Sequence, residues 1–186
     1  ALTLNCLLGL YDEDFLEHEF SEFRSSRSLS ALRQLLLLKL KELGEEEQQD
    51  LIGLIEAGLP LVAKDAKSVF PKLKALQDKG LVQSLDDKVQ VHSLITTITK
   101  DSIIDDSPTV KIPNGLAKIM ESYGKKHQEP IYTIRAAEML TKSGKEEEAL
   151  NLLSKCWNEV RNLGFLENYL KTVASIPTTP KTEPKI

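Results

Sequence analysis

Ser68-Val69-Phe70-Pro71-Lys72-Leu73-Lys74-Ala75-Leu76-Gln77-Asp78-Lys79-Gly80-Leu81-Val82 decides how this chain is read. Val69, Leu73 and Leu76 recur at spacings of three and four, which predicts a helix over 68–79 with those residues inward. Pro71 suits such a helix only in its first turn, where a missing N–H leaves no bond unmade. Gly80 stops it. Beyond the stop the period changes to two. Leu81-Val82-Gln83-Ser84, a turn at Asp86-Asp87-Lys88, and Val89-Gln90-Val91 predict a small β-hairpin.

Working outward, residues 45–57 predict a helix whose acidic first turn (Glu45, Glu46, Glu47) suits the positive end of the helix dipole. Leu51, Ile52, Leu54 and Ile55 form its core face, and Gly58-Leu59-Pro60 ends it. The helix before it starts from a Ser28 or Ser30 cap, runs through Leu32, Leu35, Leu36, Leu38, Leu40 and Leu43, and closes at Gly44. Helical spacing resumes from His92 to Lys100, and an apolar stripe including Leu4, Leu8, Tyr11, Phe15 and Phe20 predicts helix over 2–23. Helix, helix, helix, hairpin across 45–92 is the layout of a winged helix. We assign 30–100 to a winged-helix domain and 1–29 to a helical segment that ends a preceding helical domain.

Residues 101–114, with Asp105-Asp106-Ser107-Pro108 and Pro113-Asn114-Gly115, read as a linker. From 115 to 175 the pattern is helical again, and Ala136-Ala137-Glu138-Met139-Leu140-Thr141-Lys142-Ser143-Gly144-Lys145-Glu146-Glu147-Glu148-Ala149-Leu150 has the rhythm of a helical-hairpin repeat. Ala136, Ala137 and Ala149 permit close approach, Gly144 makes the turn, and Leu150, Leu153 and Trp157 fill the gap. That is a tetratricopeptide-like (TPR-like) layout. Fewer than three repeats seldom stand alone, so this region is expected to pack on its neighbours or on further repeats. Residues 176–186, with three prolines and few apolar residues, predict a disordered tail. The expected class is mostly α: a winged helix with a small β-hairpin, followed by a TPR-like α-helical region.

Of the 186 residues, 24 are Lys or Arg and 28 Asp or Glu, a net charge of -4, which excludes holding nucleic acid by bulk charge alone. Cys6 and Cys156 are too far apart for a disulfide framework or a clustered metal site. No run of 18 apolar residues exists and the start has no basic n-region. A cytoplasmic, intracellular protein without a membrane partner is the expectation. The chain opens in a helical pattern without Met, which predicts a fragment of a longer protein.

Lys64, Lys67, Lys72, Lys74 and Lys79 face two Asp over 64–79 and are the candidate DNA-facing residues. Against that role stand the absence of Arg, the usual reader of guanine, and the acidic wing turn Asp86-Asp87. His92 closes the hairpin and suits either a backbone carbonyl or a phosphate. His18 and His127 have no partner at ligand spacing, and no Gly-x-Ser-x-Gly elbow or Gly-x4-Gly-Lys-Ser/Thr loop occurs. No catalytic residue, metal site or enzyme activity is expected.

Taken together, the order and spacing of these segments resemble part of a signal-transduction ATPase of the NB-ARC/STAND class. There a P-loop ATPase domain is followed by a helical domain, a winged helix and a sensor of helical repeats. Val91-His92-Ser93 stands where that family carries Met-His-Asp, with Val for Met and Ser for Asp. The resemblance implies that His92 contacts the β-phosphate of ADP and holds a closed state in a full-length parent. Gly58-Leu59-Pro60-Leu61 resembles the family's Gly-Leu-Pro-Leu motif, but its position inside the winged helix makes it a helix stop. The phosphate loop is absent, so no cofactor is expected here, with ADP or ATP reserved for the parent. The leading expectation is a non-catalytic regulatory fragment that binds protein partners. A winged-helix DNA-binding regulator with a helical dimerisation or sensor tail is the alternative.

Overall fold

A computed structural model describes residues 29–100 and 112–177. The stripe over 2–23, Cys6, His18, most of the 101–114 linker and the tail from 178 lie outside the described residues. The chain divides between Pro113 and Asn114 into two compact units. It is mostly helical with one small three-stranded antiparallel sheet.

The first unit runs α1 (Leu29–Lys41), α2 (Glu45–Ala57), β1 (Leu61–Val62), α3 (Ala63–Val69), α4 (Leu73–Asp78), β2 (Val82–Leu85), β3 (Lys88–Val91) and α5 (Ser93–Thr99). Gly44 does not close α1 as expected. Its backbone is extended (φ -63°, ψ 157°) and it caps the start of α2 instead. Gln48 of α2 answers for α1, donating its side-chain amide to the Leu43 carbonyl at 3.1 Å and to that of Leu40, in the last turn of α1, at 3.4 Å. Gly58 ends α2 in the left-handed conformation at φ 66°, and the stop reading of 58–60 is correct.

The single helix expected over 68–79 is two helices. Phe70 leaves the helical region at φ -117° and ψ 89°, as a residue before proline is driven to do, and Pro71-Lys72 form the turn before α4. Val69 is only half-buried; Phe70 fills the core in its place at 1% exposure, with Leu73 and Leu76. The hairpin closes on Asp86 at φ 54°, with Ser84 opposite Val89 and Leu85 opposite Lys88. Strand β1 joins on the other edge of β3, Leu61 opposite Val89, giving the order β1-β3-β2. The Asp87 carbonyl accepts the Ala63 N–H at 2.7 Å and ties the hairpin turn to the start of α3.

The second unit runs α6 (Leu116–His127), α7 (Pro130–Lys142), α8 (Glu146–Leu163) and α9 (Leu166–Ser175). Helix α7 is central and touches the other three. Ala136, Ala137 and Ala149 are fully buried, the close approach their size predicts. Gly144 and Gly164 turn the chain at φ 71° and 81°. Two gap-fillers are misassigned: Leu150 and Trp157 are 47% and 40% exposed, and only Leu153 is buried. They lie on the outward side of α8, where amphipathic spacing alone cannot say which edge of the stripe a neighbour covers. Gly124 is required for the α6–α7 approach, since a Cβ there would lie 2.6 Å from Thr133 Oγ1 and 3.1 Å from the Glu129 carbonyl. Ile176, placed in the tail by its sequence, is buried.

Candidate functional site

Among the described residues, polar and reactive side chains gather at the face where α4 meets α2 and in a groove beside α8. On α4 the lysines are held by acids. Lys72 Nζ pairs with Glu46 at 2.9 Å, Lys74 with Asp78 one turn on, and Lys79 Nζ reaches both oxygens of Glu47 at 2.7 Å. The backbone N–H of Lys72 donates to Asp50 at 2.6 Å, so α2 grips the start of α4 by main chain as well as by charge. Lys64 and Lys67, on α3, are exposed. Of the five candidate DNA-facing lysines, three therefore carry ion pairs and two face solvent from a different helix.

The acids set these pairs in a definite electrostatic order. Lys79 holds the Glu47 carboxyl below the usual carboxylate range. Burial pushes Asp50 the other way, opposed by its bond from the Lys72 N–H and reinforced by the Glu46 charge. Reading Glu46 and Glu47 only as complements to the helix dipole missed this, because their partners Lys72 and Lys79 lie far along the chain.

His92 caps α5: its Nδ1 accepts the Leu94 N–H at 3.1 Å. An accepting Nδ1 places the neutral ring's proton on Nε2, leaving that nitrogen as a donor suited to an oxyanion. The residues here do not by themselves fit a nucleotide. His92 is one donor, and no phosphate loop occurs in the sequence. Among the described residues no group of three His, Cys, Asp or Glu side chains is placed to hold a metal ion.

In the second unit a groove of about 170 Å³ lies between the α6–α7 corner and α8, with Gly124, Gln128, Pro130 and Thr133 on one side and Leu152 and Cys156 on the other. Gln128, in the left-handed conformation at φ 55°, turns the corner, and Lys125, Lys155 and Glu159 stand among its lining residues. Burial pushes the Cys156 thiol up to about 11, so it is not a nucleophile at neutral pH. No sequence pattern marked this groove, because its residues come from three helices.

Comparison with known proteins finds a structural likeness. The chain is similar to the crystal structure of a signal transduction ATPase with numerous domains (STAND) protein with a tetratricopeptide repeat sensor, from Pyrococcus horikoshii. The TM-score is 0.56 at 18% identity, covering 95% of this chain and 26% of that one. At that identity the likeness is one of fold. This chain spans about a quarter of the length of the protein it matches. No family model and no curated protein matches. Among the described residues, no helix is long and apolar enough to cross a membrane.

Proposed function

We propose that this chain is a non-catalytic regulatory module of a nucleotide-switched signalling protein. In this reading the first unit is a winged helix that works as a packing and switching element, and the second is TPR-like and presents a surface to protein partners. ADP or ATP would be bound elsewhere in a longer parent, with His92 Nε2 as this module's contact to phosphate. The observation that carries the reading is the clamp of α4 on α2. Lysines engaged by Glu46, Glu47 and Asp78 are poorly placed to exchange counterions with DNA, whereas a helix held by charge and main chain suits a packing role. The order β1-β3-β2 with α3 and α4 inserted before the hairpin supports a winged helix, and the fold likeness to a STAND protein with a TPR sensor supports the pairing of modules.

Fluorescence anisotropy with random-sequence duplex DNA at about 50 mM and about 200 mM salt separates this reading from a DNA-binding regulator. The expected result is no saturation at micromolar protein. Tight binding that collapses at the higher salt and disappears with Lys72→Glu plus Lys74→Glu would overturn it in favour of DNA. Calorimetric titration with ADP is expected to give no binding heat; a saturable isotherm would show that this chain holds a nucleotide site of its own.

A further inference from the structure

The outer side of the second unit exposes apolar side chains that its core does not use. Leu163, Leu166 and Leu170 are 54%, 41% and 54% exposed around the α8–α9 corner and along α9. Leu166, Leu170 and the half-buried Val173 recur at spacings of four and three, so they form one strip beside the buried edge that carries Thr172. Along the strip's other flank run Glu167 and Lys171, one turn apart, 80% and 73% exposed, and paired with each other at 2.8 Å. Three half-exposed leucines and the edge of Trp157 amount to roughly 400 Å² of apolar surface, the size at which a patch on a soluble protein is commonly functional.

We propose that this strip is where two copies of the chain associate, α9 against α9, antiparallel about a two-fold axis near Tyr169 and Leu170. A two-fold contact must be self-complementary, residue i meeting j while j meets i. Antiparallel helices related by such an axis bring the same flank of each copy together. Glu167 of one copy then faces Lys171 of the other, and the reverse pair repeats across the axis, so the two intrahelical pairs join into one four-charge network. On the strip itself Leu166 meets Val173 of the second copy and Leu170 lies beside the axis. With an apolar share near 60%, the patch implies a total buried area of about 1,300 Å², near the lower edge of specific interfaces. The expected association is therefore weak, in the micromolar range, and sensitive to salt. This inference does not depend on the regulatory reading above.

The test is sedimentation equilibrium of the full chain at about 50 mM salt, from roughly 10 to 500 µM. Wild type is expected to be a reversible dimer. Glu167→Lys alone and Lys171→Glu alone each place like charges across the axis, and each is expected to weaken self-association about tenfold or more. Mixed in equal amounts, the two variants restore both complementary pairs and are expected to form a heterodimer near wild-type affinity. Both positions are exposed, and circular dichroism checks that each variant keeps its helix content. A wild type monomeric throughout that range would overturn the proposal and leave the strip to a foreign protein or another segment. Self-association unchanged in both variants, or no gain on mixing, would overturn the α9 pairing.

Discussion

Glu47 and Lys79 are joined by both carboxylate oxygens, at 2.7 Å each, across 32 positions of sequence. The same carboxylate accepts the Gly44 N–H at 3.1 Å, so one side chain caps the start of α2 and anchors the end of α4. Gly44 has no side chain with which to complete a reciprocal capping box, which leaves Glu47 as the main polar tie at this helix start. Its side chain is only 17% exposed, so solvent screens the pair less than it does the surface pairs elsewhere on the chain.

Glu47→Gln is expected to cost about 1 kcal/mol at pH 7, and Glu47→Ala about 1–2 kcal/mol because the cap is lost too. Lys79 lowers the Glu47 carboxyl from its usual 4.5. The charge then contributes stability above that value and loses it as pH falls through the lower folded value. Urea midpoints of wild type and Glu47→Gln should converge on acidification. A constant gap down to strongly acid pH would show that charge is not what the pair supplies.

Asp50, one turn further along α2, behaves in the opposite sense. Burial raises its carboxyl from the usual 3.8, so the folded state holds the proton more tightly than the unfolded one. Its ionisation costs stability as pH rises above that value. Asp50→Asn keeps an acceptor for the Lys72 N–H and removes the charge; it is expected to equal or exceed wild-type stability at pH 7, with the advantage fading towards acid pH. Asp50→Ala orphans that N–H and should lose about 1–3 kcal/mol. Denaturant titrations at neutral and acid pH check both signs.

Gly53→Ala should destabilise the first unit by about 1–2 kcal/mol, although alanine is the better helix former by about 1 kcal/mol. The added Cβ would lie 2.8 Å from Cε1 of the buried Phe70 and 2.9 Å from Cγ of Pro113. Neither neighbour is the loose end of a flexible chain. Phe70→Leu trims the ring, so a double-mutant cycle should show positive coupling; strict additivity would place the strain elsewhere.

Thr99 is fully buried on α5, and among the described residues its hydroxyl has no hydrogen-bond partner. Thr99→Val keeps the shape and removes an unsatisfied group, so it should be neutral or stabilising by up to about 1 kcal/mol. A loss of that size in thermal or urea unfolding would reveal a partner for the hydroxyl.

Cys156 should resist alkylation at neutral pH. It is 7% exposed and burial raises its thiol to about 11. In a Cys6→Ser background, native protein is expected to react with a thiol reagent far more slowly than unfolded protein. Equal rates would mean that the α6–α8 groove opens readily in solution.

The helices α2, α6, α7 and α8 and the β2–β3 hairpin were legible because each repeats its own period over enough residues, and because Gly58, Gly144 and Gly164 mark the ends. Strand β1 was not legible. Leu61 and Val62 are too short to show any period and become a strand only when β3 offers its free edge. The break at Phe70 was legible in principle, since Pro71 restricts the residue before it. Apolar spacing through Val69, Leu73 and Leu76 outweighed it, because the chain keeps nearly the same inward face on both sides of the break. At the candidate site, the lysines and His92 were visible as residues but their partners were not.

What the sequence determined by itself is the set of local elements: mostly helices, one hairpin and their glycine stops, all governed by interactions within a few residues. The tertiary structure alone decided that Glu46 and Glu47 engage Lys72 and Lys79, and that Leu166 and Leu170 remain exposed. Those outcomes depend on which faces meet across distant stretches of chain, and a local period specifies a face without specifying what covers it.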